Sequence, residues 1–102
     1  MEELKVLSSE NGTLTIALSG DIDLGNAETF YAETIAAYQA NPANITFECA
    51  ELNFIDSTTL GTFVKILKSL KVNGHNVRIV NLQQKIKKLF LICSLDKIME
   101  IL

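Results

Sequence analysis

The chain has 102 residues, of which 48% are hydrophobic and 21% charged. That is the mix of a single globular domain with a genuine core and no room for a deep cleft around a large substrate. Nine Lys/Arg against twelve Asp/Glu leave a net charge of −3, so neither a nucleic-acid footprint nor affinity for an anionic membrane is expected. The opening MEELKVLSS lacks a basic-then-apolar leader pattern, and no apolar run approaches the ~20 residues of a membrane span. A cytoplasmic domain, 1–102, is the expectation. Cys49 and Cys93 both sit in apolar surroundings, without CxxC spacing, and read as small buried hydrophobes in a reducing compartment. Lys5 is the only basic residue before Lys65; Lys65, Lys68, Lys71, Arg78, Lys85, Lys87, Lys88 and Lys97 follow, an asymmetry that can mark a docking face and more often marks solvated helix surfaces.

Taken in chain order, Lys5-Val6-Leu7 is a short apolar start, and Asn11-Gly12 separates it from Thr13–Ser19. In that second run Leu14, Ile16 and Leu18 share one face, and alternation next to Asn-Gly predicts an antiparallel hairpin. Gly20 to Asn26 reads as an acidic loop, with Asn26 placed to cap a helix over Ala27–Gln39. Phe30, Ile35 and Tyr38, with Ala27, Tyr31 and Ala37, support that helix, and Asn41-Pro42 stops it. Asn44–Cys49 alternates again as a third strand. From Ser57 the period changes: Leu60, Phe63, Val64, Leu67 and Leu70 line one face of a helix, and Asn73-Gly74 ends it. Val77–Val80 is a fourth strand. Gln83–Cys93 is a third helix with Ile86, Leu89, Phe90 and Cys93 inward, and Ile98–Ile101 closes as a short strand. The pattern predicts an α/β domain of order β-β-α-β-α-β-α-β, with a mixed sheet of about four to five strands flanked by about three main helices, and short first and last strands near its edges.

The segment that carries chemistry is Phe54-Ile55-Asp56-Ser57-Thr58-Thr59-Leu60-Gly61. Ser57 falls at the natural N-cap of the second helix, where a hydroxyl satisfies an orphan helix amide. Plain capping therefore accounts for the residue types. Three hydroxyls beside a carboxylate also fit a phosphorylation site. A phosphate there would add about −1.5 to −2 charge at a helix N-terminus that tolerates it, and would alter the surface while sparing the fold.

These residues resemble the STAS family of bacterial anti-sigma-factor antagonists. That family has a Gly-Glu/Asp-hydrophobic-Asp loop, matched by Gly20-Asp21-Ile22-Asp23, and a hydrophobic-Asp-Ser-Ser/Thr-Gly-Leu-Gly segment, matched by Ile55 to Gly61. Asn26–Phe30 and Lys87–Leu91 resemble it as well. Each piece is weak alone; their order and spacing are specific together. The resemblance implies a STAS-like fold over 1–102 and phosphorylation of Ser57, with Thr58 as its neighbouring rival. It also implies, as partners, a serine-protein kinase that doubles as the anti-sigma factor and a serine phosphatase that reverses the mark. Asp21, Asp23, Asp56, Ser57, Thr58, Thr59 and Gly61 then form the partner-binding surface. Thr59 stands where the family usually has Gly, adding a β-branched residue and a third hydroxyl within a kinase's reach.

A second reading is an accessory STAS subunit that docks on the ATPase of a lipid-transport ABC system without phosphorylation. An enzyme is not expected, because no catalytic constellation is visible. His75, the single histidine, has no ligand-spaced partner and reads as an exposed turn residue. A Cys49–His75 nucleophile and base pair lacks a third orienting group. No phosphate-binding glycine motif is present. No metal or cofactor is expected, and any ATP belongs to the partner.

Overall fold

The computed structural model describes all 102 residues. The elements are β1 (Leu4–Glu10), β2 (Thr13–Ile22), α1 (Ala27–Ala40), β3 (Asn44–Ile55), α2 (Ser57–Lys71), β4 (Val77–Val80), α3 (Gln84–Ile92), a single 3-10 turn over Leu95–Lys97, and β5 (Glu100–Ile101). The five strands form one sheet in the order β1-β2-β3-β4-β5. β1 runs antiparallel to β2, and every other neighbouring pair is parallel. The expected mixed sheet and its element order are present; the closing edge strand covers only Glu100–Ile101, without Ile98 and Met99, and β1 is longer than the short start expected.

The hairpin forms as its turn residues dictate. Asn11 and Gly12 both take positive φ, 55° and 74°, the left-handed pair that a two-residue hairpin turn requires. β1 carries a bulge between Val6 and Ser8, which leaves Leu7 half-exposed on an edge strand and interrupts the pairing surface of that edge.

β2 and β3 both run further than their alternation suggested. Gly20, Asp21 and Ile22 belong to β2 rather than to the loop, and β3 continues past Cys49 to Ile55. The cause is a pair of bulges. The β2–β3 register steps from Ala17↔Glu48 to Ser19↔Glu51, and then from Gly20↔Leu52 to Asp21↔Phe54. Each step gives β3 one extra residue, so Ala50-Glu51 and Asn53-Phe54 both point away from the core as pairs. Strict period 2 is lost while the strand continues. Gly20, at φ 68°, sits at the second irregularity in a conformation that glycine takes without strain.

All three helices bury against one face of the sheet. Leu14, Ile16, Leu18, Ile45, Phe47, Cys49 and Ile79 point into that layer, whereas Thr15, Thr46, Glu48 and Arg78 face outward. Phe63 of α2 is the hub. Its ring meets Phe30, Phe47 and Phe90 edge-on, with centroids 5.2, 5.3 and 5.3 Å away, a geometry aromatic quadrupoles favour.

Several inward positions differ from those expected. In α1 the buried row is Phe30, Thr34 and Tyr38, four residues apart, so Ile35 is only half-buried. In α2 Ile66 joins Leu60, Phe63, Leu67 and Leu70 in the core, and Val64 is half-buried. In α3 only Ile86 and Phe90 are buried; Leu89 and Cys93 are exposed. The chain leaves α3 through Ser94 at φ 58°, and Leu95 and Met99 supply the burial Cys93 was expected to give. Cys49 is buried as expected, and burial pushes its thiol pKa far above the ordinary range, which removes any nucleophilic role. His75 is not a free turn residue: it is half-buried, with Nδ1 hydrogen-bonded to the Tyr38 hydroxyl.

Candidate functional site

β3 ends at Ile55, whose side chain is buried, and the chain turns at Asp56 into α2. Asp56, not Ser57, is the N-cap: its backbone is extended and its side chain accepts from the Thr59 amide at 3.0 Å. Ser57 is the first helical residue. Both residue types cap well, so the local sequence does not choose between them. Asp56 wins because one carboxylate here satisfies several donors. Its other oxygen accepts from the Leu24 amide at 2.9 Å, on the loop after β2. The Thr59 amide, followed by the Leu24 amide and the Thr59 hydroxyl, holds the Asp56 carboxyl below its usual pKa against the opposing cost of partial desolvation.

The three consecutive hydroxyls are separated by the fold. Thr59 is fully buried, and its hydroxyl lies against the main-chain carbonyl of Ile22 and 3.1 Å from Asp56. This corrects the expectation of a third hydroxyl open to a kinase: Thr59 joins the end of β2 to the start of α2. Ser57 and Thr58 are exposed, and Ser57 makes no side-chain hydrogen bond. Gly61 lies one turn below Ser57 on the same face, and beyond its own stretch of helix nothing comes within 4 Å of where a Cβ would stand. The outer surface of α2 is therefore low and open beside Ser57.

The loop from Asp21 to Asn26 flanks this turn. Asp21 is exposed and lies opposite Phe54 in the β2–β3 register. Asp23 accepts from the Gly25 amide at 2.8 Å, and its own amide donates to Asn26 Oδ1 at 2.8 Å. Asn26 Nδ2 donates to the Asp21 carbonyl at 3.0 Å. Asn26 thus occupies the N-cap position of α1 without capping it by its side chain, which the loop itself uses. Of the residues proposed from sequence, the fold brings Asp21, Asp23, Asp56, Ser57, Thr58 and Gly61 to one rim at the C-terminal end of β2 and β3; Thr59 lies beneath that rim. Leu24 and Phe54, 74% and 50% exposed at the same ends of the strands, were not among the residues expected to bind a partner. For Leu24 the signal was available: a large apolar residue inside an acidic turn has no alternation or helical phase to bury it; Phe54 is turned outward by a bulge that only the β2–β3 pairing creates.

The site is a raised surface rather than a cleft. One groove, about 460 Å³, is lined by residues such as Asn44, Thr46, Asn76, Arg78 and Glu100 at the opposite ends of the strands, and another, about 470 Å³, by Gln84, Lys87, Lys88 and Leu91; neither touches the rim residues. No helix is long and apolar enough to cross a membrane.

The structure is thus a mixed sheet covered on one face, with a capped helix presenting an uncommitted serine at its rim. The chain belongs to the STAS-domain family, whose model matches residues 5–102. Among its relatives, the anti-sigma-B factor antagonist of Bacillus subtilis is 28% identical over 96 residues, spanning 94% of this chain and 86% of that protein. The protein of the same name from Staphylococcus epidermidis is 27% identical over 86 residues, spanning 84% of this chain and 80% of that one. In shape the chain is similar to the anti-sigma factor antagonist SpoIIAA in its unphosphorylated form, with a TM-score of 0.82 at 20% identity, covering 97% of this chain and 87% of that one. The phosphorylated form of SpoIIAA, the Bacillus cell fate determinant, gives 0.71 at 23% identity, covering 97% and 90%. These structural likenesses concern the fold.

Proposed function

We propose that this protein is an anti-sigma-factor antagonist, a regulatory switch that binds a serine kinase/anti-sigma factor when unphosphorylated and is released when Ser57 is phosphorylated. The observation that carries the reading is the division of labour at the α2 N-terminus. Asp56 caps the helix and Thr59 is buried in structural contacts, which leaves the Ser57 hydroxyl exposed and uncommitted. A kinase reaches Ser57 without opening the fold. The names of the Bacillus and Staphylococcus relatives support the same reading.

The release step follows from charge. A phosphoserine carries about −1.5 to −2 charge and strong acceptor oxygens. Placed beside Asp56 and the acidic loop of Asp21 and Asp23, it turns a neutral hydroxyl at a docked surface into an added dianion. Burying that charge opposite a surface matched to a neutral hydroxyl is costly. The α2 amides soften the local cost, so the domain stays folded while the complex fails.

The test is phosphopeptide mapping after reaction with the serine kinase encoded beside this protein, together with partner affinity for Ser57→Ala and Ser57→Asp. Phosphate on Ser57, retained binding by the alanine form and weakened binding by the aspartate form are expected. Phosphate on Thr58 alone, or equal affinities of the two variants, would remove Ser57 as the switch. Co-purification with a transporter ATPase and no phosphate at all would replace this reading with that of an accessory subunit.

A further inference from the structure

Leu24 is the most exposed large hydrophobic residue of the Ser57 rim, at 74%, yet the loop that carries it is held in place. Its own amide is bound by Asp56 Oδ2 at 2.9 Å. On either side, Gly25 donates to Asp23 at 2.8 Å, Asp23 donates to Asn26 at 2.8 Å, and Asn26 donates to the Asp21 carbonyl at 3.0 Å. Further along, the Asn26 and Ala27 amides both donate to the Asp23 carbonyl. The loop cannot turn Leu24 inward without breaking these bonds, and the inward places beside it are already filled by Ile22 and Ala27. Phe54 is held just as firmly in the β3 ladder opposite Asp21. The second bulge turns it outward together with Asn53, and it is half-exposed two residues before Asp56.

We propose that Leu24 and Phe54 are the apolar anchors of the docking surface around Ser57, and that the partner surface they enter is an apolar pocket rimmed by basic side chains. The proposal rests on the partner-switching reading above and adds the chemistry of the contact. Binding energy at protein interfaces concentrates in a few large residues that enter desolvated pockets. Rigid presentation avoids the ordering cost that a mobile side chain would incur on binding. The charge of the partner follows from composition and position. The rim carries Asp21, Asp23 and Asp56, Glu51 is exposed nearby on β3, and the first 64 residues contain no basic side chain but Lys5. Complementary basic groups on the partner would steer encounter and fix the orientation of the two anchors. The arrangement also sharpens the switch. A phosphate on Ser57 would stand on the same rim as the two apolar anchors, so that a partner covering the rim would have to desolvate a dianion in order to bury them.

The experiment uses the intact protein and the serine kinase that phosphorylates it. Leu24→Ser and Phe54→Ser replace exposed side chains, so thermal unfolding should show both variants folded like the parent. Val72→Ser, at an 84% exposed position beyond the other end of α2, serves as the control. A loss of kinase affinity of roughly 30-fold is expected for each anchor variant, the scale of an interface hot spot, with less than about threefold for the control. Raising salt from low to physiological strength should slow association, as basic rim groups require. A loss below tenfold in both anchor variants, while the parent still binds and is phosphorylated on Ser57, overturns the anchors and leaves the switch intact. A parent protein that neither binds nor accepts phosphate overturns both.

Discussion

α2 does two different jobs along its length. Its inward row, Leu60, Phe63, Ile66, Leu67 and Leu70, is buried in the core. Its first turn has Ser57 and Thr58 in water, with Thr59 fully buried between them and the core row. The row tolerates little change because it is close-packed. The turn tolerates change at its two outer positions and not at the third. A switch needs this arrangement: a rigid platform with a chemically free group on its surface, so that modification alters recognition and not folding.

The contrast can be broken most severely at the hub. Phe63→Ala should destabilise the domain by roughly 3–5 kcal/mol, because a fully buried ring that meets three other aromatics leaves a cavity. Urea unfolding measures it, and a cost below ~1 kcal/mol would mean that the inward row is not close-packed around Phe63.

Thr59→Val comes next. It keeps the shape and removes the donor that faces the buried Ile22 carbonyl, which should cost about 1–3 kcal/mol. Thr59→Ser should recover most of the loss. If Val is as stable as Thr, the hydroxyl does not join β2 to α2.

Asp56→Ala should destabilise the domain measurably at neutral pH, less than Thr59→Val does, because the N-cap acceptor is lost. The acid limb sharpens the point. The folded-state pKa of Asp56 is lowered, so its contribution is complete above the ordinary carboxylate value of about 3.9 and fades as the pH falls below that toward the lowered value. Asp56→Asn cannot titrate, so the stability gap between parent and Asn variant should narrow across that acid range. A constant gap would show that the carboxylate charge plays no part in the cap.

The smallest effect belongs to Ser57→Ala, which should change stability by less than about 0.5 kcal/mol, because Asp56 and not Ser57 caps the helix. A loss above ~1 kcal/mol would give Ser57 a structural role and weaken the division between platform and surface.

The comparison of helix starts shows how far residue type alone reaches. Asn26 and Asp56 are both good capping residues, and both occupy N-cap positions. Asp56 caps and Asn26 does not, because Asn26 is engaged by Asp23 and by the Asp21 carbonyl. Composition narrows the candidates, and the neighbouring loop decides between them.

Local pattern was enough for the hairpin at Asn11-Gly12, the change of period at Ser57, the end of α2 near Gly74, and the element order, since each depends on dihedral preferences and periodicity within a few residues. The motif placing Ser57 at a helix start was legible for the same reason. What local pattern could not decide depended on partners distant along the chain. The bulges that extend β3 to Ile55 exist only against β2. Cys93 is exposed because Leu95 and Met99, beyond a left-handed Ser94, take the inward places. Thr59 is buried against the carbonyl of Ile22, 37 residues earlier, and that contact sets it apart from Ser57. A hydroxyl's chemistry is written in its residue type; whether it is free to react is set by which carbonyl the folded chain brings beside it.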